Sequence, residues 1–204
     1  MTTVVRETRE TRVRVEIERE GEGEGDAVGA GAGETSGARA EVAGEATVAP
    51  AVDTGEPFLD HMLVTLARYA GLRLAVEARG DLRHHLVEDV AITMGDALRR
   101  FAPERAARYG ERVVPMDDAL VQVALDLGGR PYYRGPLPSS LYDHWMRSFS
   151  DHARITLHVR VIRGRDRHHV VEAAFKALGL ALRQALVEGD VVFSTKGAVT
   201  LEVE

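Results

Sequence analysis

The chain has 204 residues, 45% apolar, 5% aromatic and 28% charged, which suits one globular domain or two small fused units with a real core. It has no cysteine, which excludes a disulfide scaffold, an iron–sulfur cluster, a thiolate zinc site and a cysteine nucleophile together; any metal must be held by nitrogen and oxygen. A formal charge of -6 gives no broad positive field for a phosphate backbone, so no nucleic-acid partner is expected, whereas a small anion needs only a local basic pocket. No apolar run approaches the about 18 residues of a membrane span, and the start, MTTVVRETRE, lacks the apolar stretch of a secretory signal. The expectation is a cytoplasmic protein with no membrane partner.

In chain order, Thr11 to Glu18 alternates Val13, Val15 and Ile17 with charged residues, the period of a half-buried strand. From Gly21 to Pro50 Gly and Ala supply 16 of 30 residues and apolar periodicity is lost, which reads as a flexible excursion. A phosphate-cradling loop is disfavoured there, because no glycine-rich spacing leads into a helix. Phe58 to Ala70 carries helical spacing and stops at Gly71, a C-cap signal. Leu72 to Val76 alternates as a strand, and His84 to Phe101 reads as a second helix with Val87, Val90, Ile92, Met94 and Leu98 mostly inward.

The second half repeats this order. Ala119 to Leu127 alternates, Tyr142 to Phe149 is helical, Ile155 to Ile162 alternates, and His168 to Leu186 is helical. HHLVEDVAITMGDALR and HHVVEAAFKALGLALR share both His, Val, Glu, Gly, Ala, Leu and Arg at equal offsets, and Asp60-His61 aligns with Asp143-His144 one residue out of step. The chain is an internal duplication, expected as an α+β protein: one domain over 1–204 made of two similar halves, about 1–110 and 111–204, with sheets backed by helices on one face and an insertion at 21–50.

Each half thus holds D-H and then H-H-x-x-E opening a helix. Residues i and i+4 share a helix face, so His84 and Glu88 can reach one ion while His85 is rotated by about 100°. The same applies to His168, Glu172 and His169. One motif therefore serves two sites. With His61 and His144 the inventory is six His and two Glu, which divides into two sites of three His and one Glu. Imidazole plus carboxylate without sulfur suits Mn, Fe, Co, Ni or Zn, with positions open for substrate. A lone HHxxE carries little weight, but two copies in register, each preceded by D-H, point to metal; His152 and His158 fall outside the pairing and read as structural.

With these motifs in view, the chain resembles imidazoleglycerol-phosphate dehydratase, the lyase of histidine biosynthesis. The likeness runs through TRET (8–11), TGEPFLDHML (54–63), HHLVED (84–89), RYG (108–110), MDDALVQVALDLGGRPY (116–132), DHWMRSF (143–149), the segment 155–186 and FSTKG (193–197). It implies dehydration of D-erythro-imidazole glycerol phosphate to imidazole acetol phosphate and water, through an imidazolate bridging two Mn(II) ions. It also implies that one manganese takes His61, His85, His168 and Glu172 and the other His84, Glu88, His144 and His169. Glu172 is implied as acid/base, with Glu10 on the glycerol hydroxyls or assisting proton transfer. Arg108, Arg130, Lys176, Ser194, Thr195 and Lys196 are implied as the phosphate pocket. A homo-oligomer, a 24-mer built from trimers with sites completed between neighbours, follows from the same resemblance.

Three features depart from the family pattern. Gly80-Asp81-Leu82-Arg83 leads straight into His84, a shortened approach; Leu86 stands where Thr is usual; and Tyr69 stands where a further His is usual, so one positive charge near the phosphate is replaced by a hydroxyl. Tyr69 and the shortened approach motivate an alternative, a divergent paralogue using the same two-metal cage on another imidazole or phosphate compound. A non-catalytic metal-binding shell protein is a second alternative, but it leaves Glu10, Arg130, Lys176 and Ser194-Thr195-Lys196 unexplained.

Overall fold

The computed structural model describes residues 1–19 and 51–190; the 21–50 excursion and the Ser194-Thr195-Lys196 motif lie outside the described residues. The first half runs β1 (Thr2–Glu7), β2 (Thr11–Arg19), β3 (Val52–Asp53), α1 (Pro57–Ala70), β4 (Leu72–Gly80) and α2 (Arg83–Phe101). The second runs β5 (Tyr109–Met116), β6 (Ala119–Asp126), β7 (Tyr132–Arg134), α3 (Ser140–Ala153), β8 (Thr156–Arg163) and α4 (Arg167–Ala185). The two sheets have the same order, β1-β2-β4-β3 and β5-β6-β8-β7, each with its last strand parallel to its neighbour and the others antiparallel. The duplication read in the sequence is thus an α+β fold of two matching halves.

The strands found by alternation are the central ones. In β2, Val13, Val15 and Ile17 face the core, and in β6, Ala119, Val121, Val123 and Leu125 do the same. The strands that alternation missed, β1, β3, β5 and β7, are all sheet edges. Two are only two or three residues long, and β1 turns just Thr2, Val4 and Arg6 partly inward, too mixed a set to show a period.

Two helices have ends that their sequences direct. α1 begins with Pro57 and ends at Gly71 in the left-handed region, φ 66, where glycine carries no Cβ penalty. The α4 entry is capped by Asp166, whose carboxylate accepts the His168 N–H. α2 lies against the first sheet and crosses α3; α4 lies against the second sheet and crosses α1. The helices of the two halves therefore share one core, centred on Trp145, Phe149 and Phe175, with Trp145 ring centroids 5.1 and 4.7 Å from the two phenyl rings. Among the described residues no helix is long and apolar enough to cross a membrane.

Candidate metal centre

The crossing of helices from opposite halves is what assembles the candidate ligands. Gly95 on α2 and Gly179 on α4 each stand eleven residues after the first His of their pair. A Cβ at Gly95 would lie 2.7 Å from the Phe149 carbonyl oxygen of α3, and one at Gly179 would lie 2.7 Å from that of Leu66 of α1. Only a residue without Cβ lets the backbones approach this closely. The contact sets His144 beside the N-terminal turn of α2 and His61 beside that of α4.

Two groups result, each with ligand atoms all within 4.8 Å of one another: His61, His168 and Glu172, and His84, Glu88 and His144. In the first, Glu172 Oε2 is 3.1 Å from His168 Nε2 and 3.5 Å from His61 Nε2. In the second, Glu88 Oε1 is 3.0 Å from His144 Nε2 and Glu88 Oε2 is 3.8 Å from His84 Nε2. The paired imidazoles are near-parallel in both, with interplanar angles of 26°. His84 lies near Glu88 and His168 near Glu172, one helical turn apart, while His85 and His169 stand outside both groups.

These residues fit a cation with nitrogen and oxygen ligands. Among the described residues His144 Nε2 is buried without a hydrogen bond although a carboxylate oxygen is 3.0 Å away, so its lone pair and the Glu88 charge converge without satisfying each other. Glu172 shows the matching electrostatics on the other side. Burial pushes its carboxyl up, but Lys176 at 3.0 Å from Oε1 and the nearby His61 outweigh this and hold it below the usual range, so it is ionised at neutral pH.

The remaining candidates fall as follows. His85 Nδ1 lies 3.1 Å from Glu10 and 3.5 Å from Asp81, forming a third group with them. His169 is held by Asp118, 2.8 Å from Nδ1, with Asp117 3.4 Å from Nε2. Three of the four ligands in each expected set therefore meet within the chain, and His85 and His169 do not join them. Lys176 stands beside the first group, with its ammonium also 5.8 Å from the centre of the Tyr69 ring. Arg108 is engaged by Asp126 in a two-point fork at 2.6 and 3.0 Å, and Arg130 is exposed between β6 and β7. Glu10 borders a cavity of about 200 Å³ with Arg6, Arg9, His85 and Glu88. Its rear wall is tied by Asp89, which bonds Thr11 and lies 2.8 Å from Arg6. His152, 3.5 Å from Asp96, and the exposed His158, beside Tyr132, stand outside both groups.

Sequence reasoning recorded the aspartate of each D-H pair without giving it a task. Asp60 accepts the Thr54 N–H at 2.9 Å and the Thr54 hydroxyl at 2.5 Å. Asp143 accepts the Leu137 N–H at 2.9 Å and the Tyr133 hydroxyl at 2.6 Å. Each fastens the incoming loop to the helix turn that carries the next residue, a histidine of the site. The signal was their repetition in both halves. Asp118 was also passed over; the Arg165 N–H, the His169 imidazole and the Asp166 N–H together pull its carboxyl down to about 2.

Comparison with known proteins places this geometry. The family model for imidazoleglycerol-phosphate dehydratase matches residues 54–182. An imidazoleglycerol-phosphate dehydratase of Anaeromyxobacter sp. is 48% identical over 172 residues, 76% of this chain and 82% of that one. One from Pyrobaculum calidifontis is 48% identical over 164 residues, 72% of this chain and 87% of that one. The crystal structure of the Pyrococcus furiosus protein of that name matches with a TM-score of 0.75 at 35% identity, covering 96% of this chain and 100% of that one. With the duplicated fold, the paired His/Glu groups and these likenesses all in agreement, the chain belongs to the imidazoleglycerol-phosphate dehydratase family of hydro-lyases.

Proposed function

We propose that this chain dehydrates D-erythro-imidazole glycerol phosphate to imidazole acetol phosphate and water, as a cytoplasmic enzyme carrying two Mn(II) ions per active site. The observation that carries the reading is the pair of groups, each made of two imidazoles and one carboxylate from helices of opposite halves. His61, His168 and Glu172 would hold one ion and His84, Glu88 and His144 the other. His85 and His169, on the same helices but apart from both groups, would complete the sets in neighbouring copies. Large apolar side chains exposed on the second sheet, Val113, Tyr132 and Ile162, support assembly from several copies, with the trimer-based 24-mer as the proposed form.

When bound, the ions would supply Lewis acidity toward the two ring nitrogens of the substrate, easing loss of a proton from a carbon that no carbonyl acidifies. The chain's own residues supply the rest. Glu172 divides its oxygens: Oε2 faces the imidazoles and Oε1 is paired with Lys176; Oε1 would take and return the proton. Lys176, Arg108 and Arg130, with Ser194, Thr195 and Lys196, would bind the phosphate; a guanidinium fork and an ammonium suit a phosphomonoester. Glu10, more than half exposed at its cavity, would take the glycerol hydroxyls.

The test is turnover of imidazole glycerol phosphate by the purified protein with manganese. Glu172→Gln is expected to lower kcat by about 10²–10⁴-fold. Full turnover with both metals retained in that variant would remove Glu172 as proton carrier. Metal binding with no turnover at saturating substrate would favour the divergent paralogue, for which Tyr69 beneath Lys176 is the supporting feature.

A further inference from the structure

The turn joining β5 to β6 is Asp117-Asp118, with Asp117 at φ 46. Tight hairpin turns with positive φ favour Asn-Gly, Asp-Gly or Gly-Gly, so turn propensity does not account for a second aspartate. The Asp118 carboxylate is committed on both oxygens. Oδ1 lies 2.8 Å from His169 Nδ1, and Oδ2 accepts the backbone N–H groups of Arg165 at 2.6 Å and Asp166 at 3.2 Å. One side chain thus joins the hairpin turn to the entry of α4 and sets the rotation of the imidazole. A carboxylate only accepts, so it favours the hydrogen on Nδ1, and Nε2, which faces Asp117 Oδ2 at 3.4 Å, is then the nitrogen left to serve as a metal donor.

The first half has the matching parts in a different state. Its hairpin turn, between β1 and β2, carries Glu10, whose Oε2 is 3.1 Å from His85 Nδ1. No well-formed hydrogen bond joins the two, and the Glu10 side chain is 57% exposed. The duplicated carboxylate has diverged: one copy is clamped, the other is not.

We propose that Asp118 is a positioning residue, holding His169 in the tautomer and orientation that present Nε2 as a metal donor to a neighbouring copy, while its counterpart Glu10 is left free for substrate. This rests on the two-metal reading above. Carboxylates that hold the second nitrogen of a ligand histidine set both its tautomer and its basicity.

The experiment is manganese titration of the full chain, wild type and Asp118→Asn. Asparagine has one carbonyl oxygen and cannot serve both His169 and the two N–H groups. The expected result is an about 10–100-fold loss of affinity at one class of site, with unchanged far-UV circular dichroism. In a His169→Ala background the same substitution should add no further loss, because the effect passes through that imidazole. Nitrogen-15 spectra of the histidine-labelled wild type should show His169 with its hydrogen on Nδ1. Unchanged affinity, an equal loss in both backgrounds, or a hydrogen on Nε2 in the wild type overturns the proposal. If Asp118→Asn does not fold, Asp118→Ser, which keeps an acceptor but is too short to reach the ring, carries the same expectation. Wild-type protein that binds no manganese overturns the two-metal reading itself, and the tautomer spectrum still decides whether Asp118 clamps His169.

Discussion

Asp143 and Tyr142 are neighbours on α3 with opposite accounts. Asp143 satisfies two groups at once, the Leu137 N–H and the Tyr133 hydroxyl, and burial together with this carboxylate pushes the Tyr133 phenol up. Asp143→Ala should cost about 1–3 kcal/mol by leaving both donors unpaired, and should weaken manganese binding through His144; equilibrium denaturation and metal titration read the two effects. Tyr142 packs edge-on against Phe58 and Phe175 with its hydroxyl buried and unbonded among the described residues, and burial pushes its phenol up to about 12. Because the folded value lies above the unfolded one of about 10, this contribution is complete below pH 10 and is lost as pH rises from about 10 to about 12. Tyr142→Phe should therefore be neutral or stabilising at pH 7 and should flatten the alkaline fall in stability. A large loss at pH 7 would mean that the hydroxyl has a partner.

At the scale of elements, the site depends on how closely two helix pairs cross. Gly95 and Gly179 occupy the same position in the repeat, and each meets backbone of the partner helix at distances no Cβ tolerates. Gly179→Ala should separate α4 from α1, costing about 1–3 kcal/mol in overpacking. It should also weaken the site at His61, His168 and Glu172 more than the one at His84, Glu88 and His144. Gly95→Ala should reverse that preference. Thermal denaturation with manganese titration of the two variants checks the crossed pattern, and an equal effect on both sites would show that the crossings are not independent.

For the whole molecule, the decisive feature is that each expected four-ligand set is one histidine short within the chain. If His85 and His169 complete sets in neighbours, two inactive variants should restore each other. A His85→Ala chain supplies intact His61, His168 and Glu172, and a His61→Ala chain supplies intact His85. Unfolded, mixed and refolded together with manganese, they should regain a fraction of wild-type activity that neither has alone. Chelation should also shrink the particle, measured by light scattering, if ions bridge copies. No recovery in the mixed sample, with both variants properly folded, would rule out His85 completing the His61, His168 and Glu172 set from a neighbouring copy.

Much of this was legible in the residues alone, and the reason is periodicity. Central strands and long helices repeat a burial pattern over enough residues to show it, and duplication doubled the signal, so the halves, the His/Glu helix faces and the family emerged from the sequence. The edge strands stayed hidden because one face of pairing leaves their side chains little constrained. What only the tertiary structure decided is which histidine meets which carboxylate. A helix period separates His84 from His85 but cannot say that α2 crosses α3 while α4 crosses α1. That choice is made by close backbone contact at Gly95 and Gly179, between segments far apart in the chain. The tasks of Asp60, Asp143 and Asp118 were likewise invisible, because a side chain that bonds a distant loop leaves no spacing in the sequence to mark it.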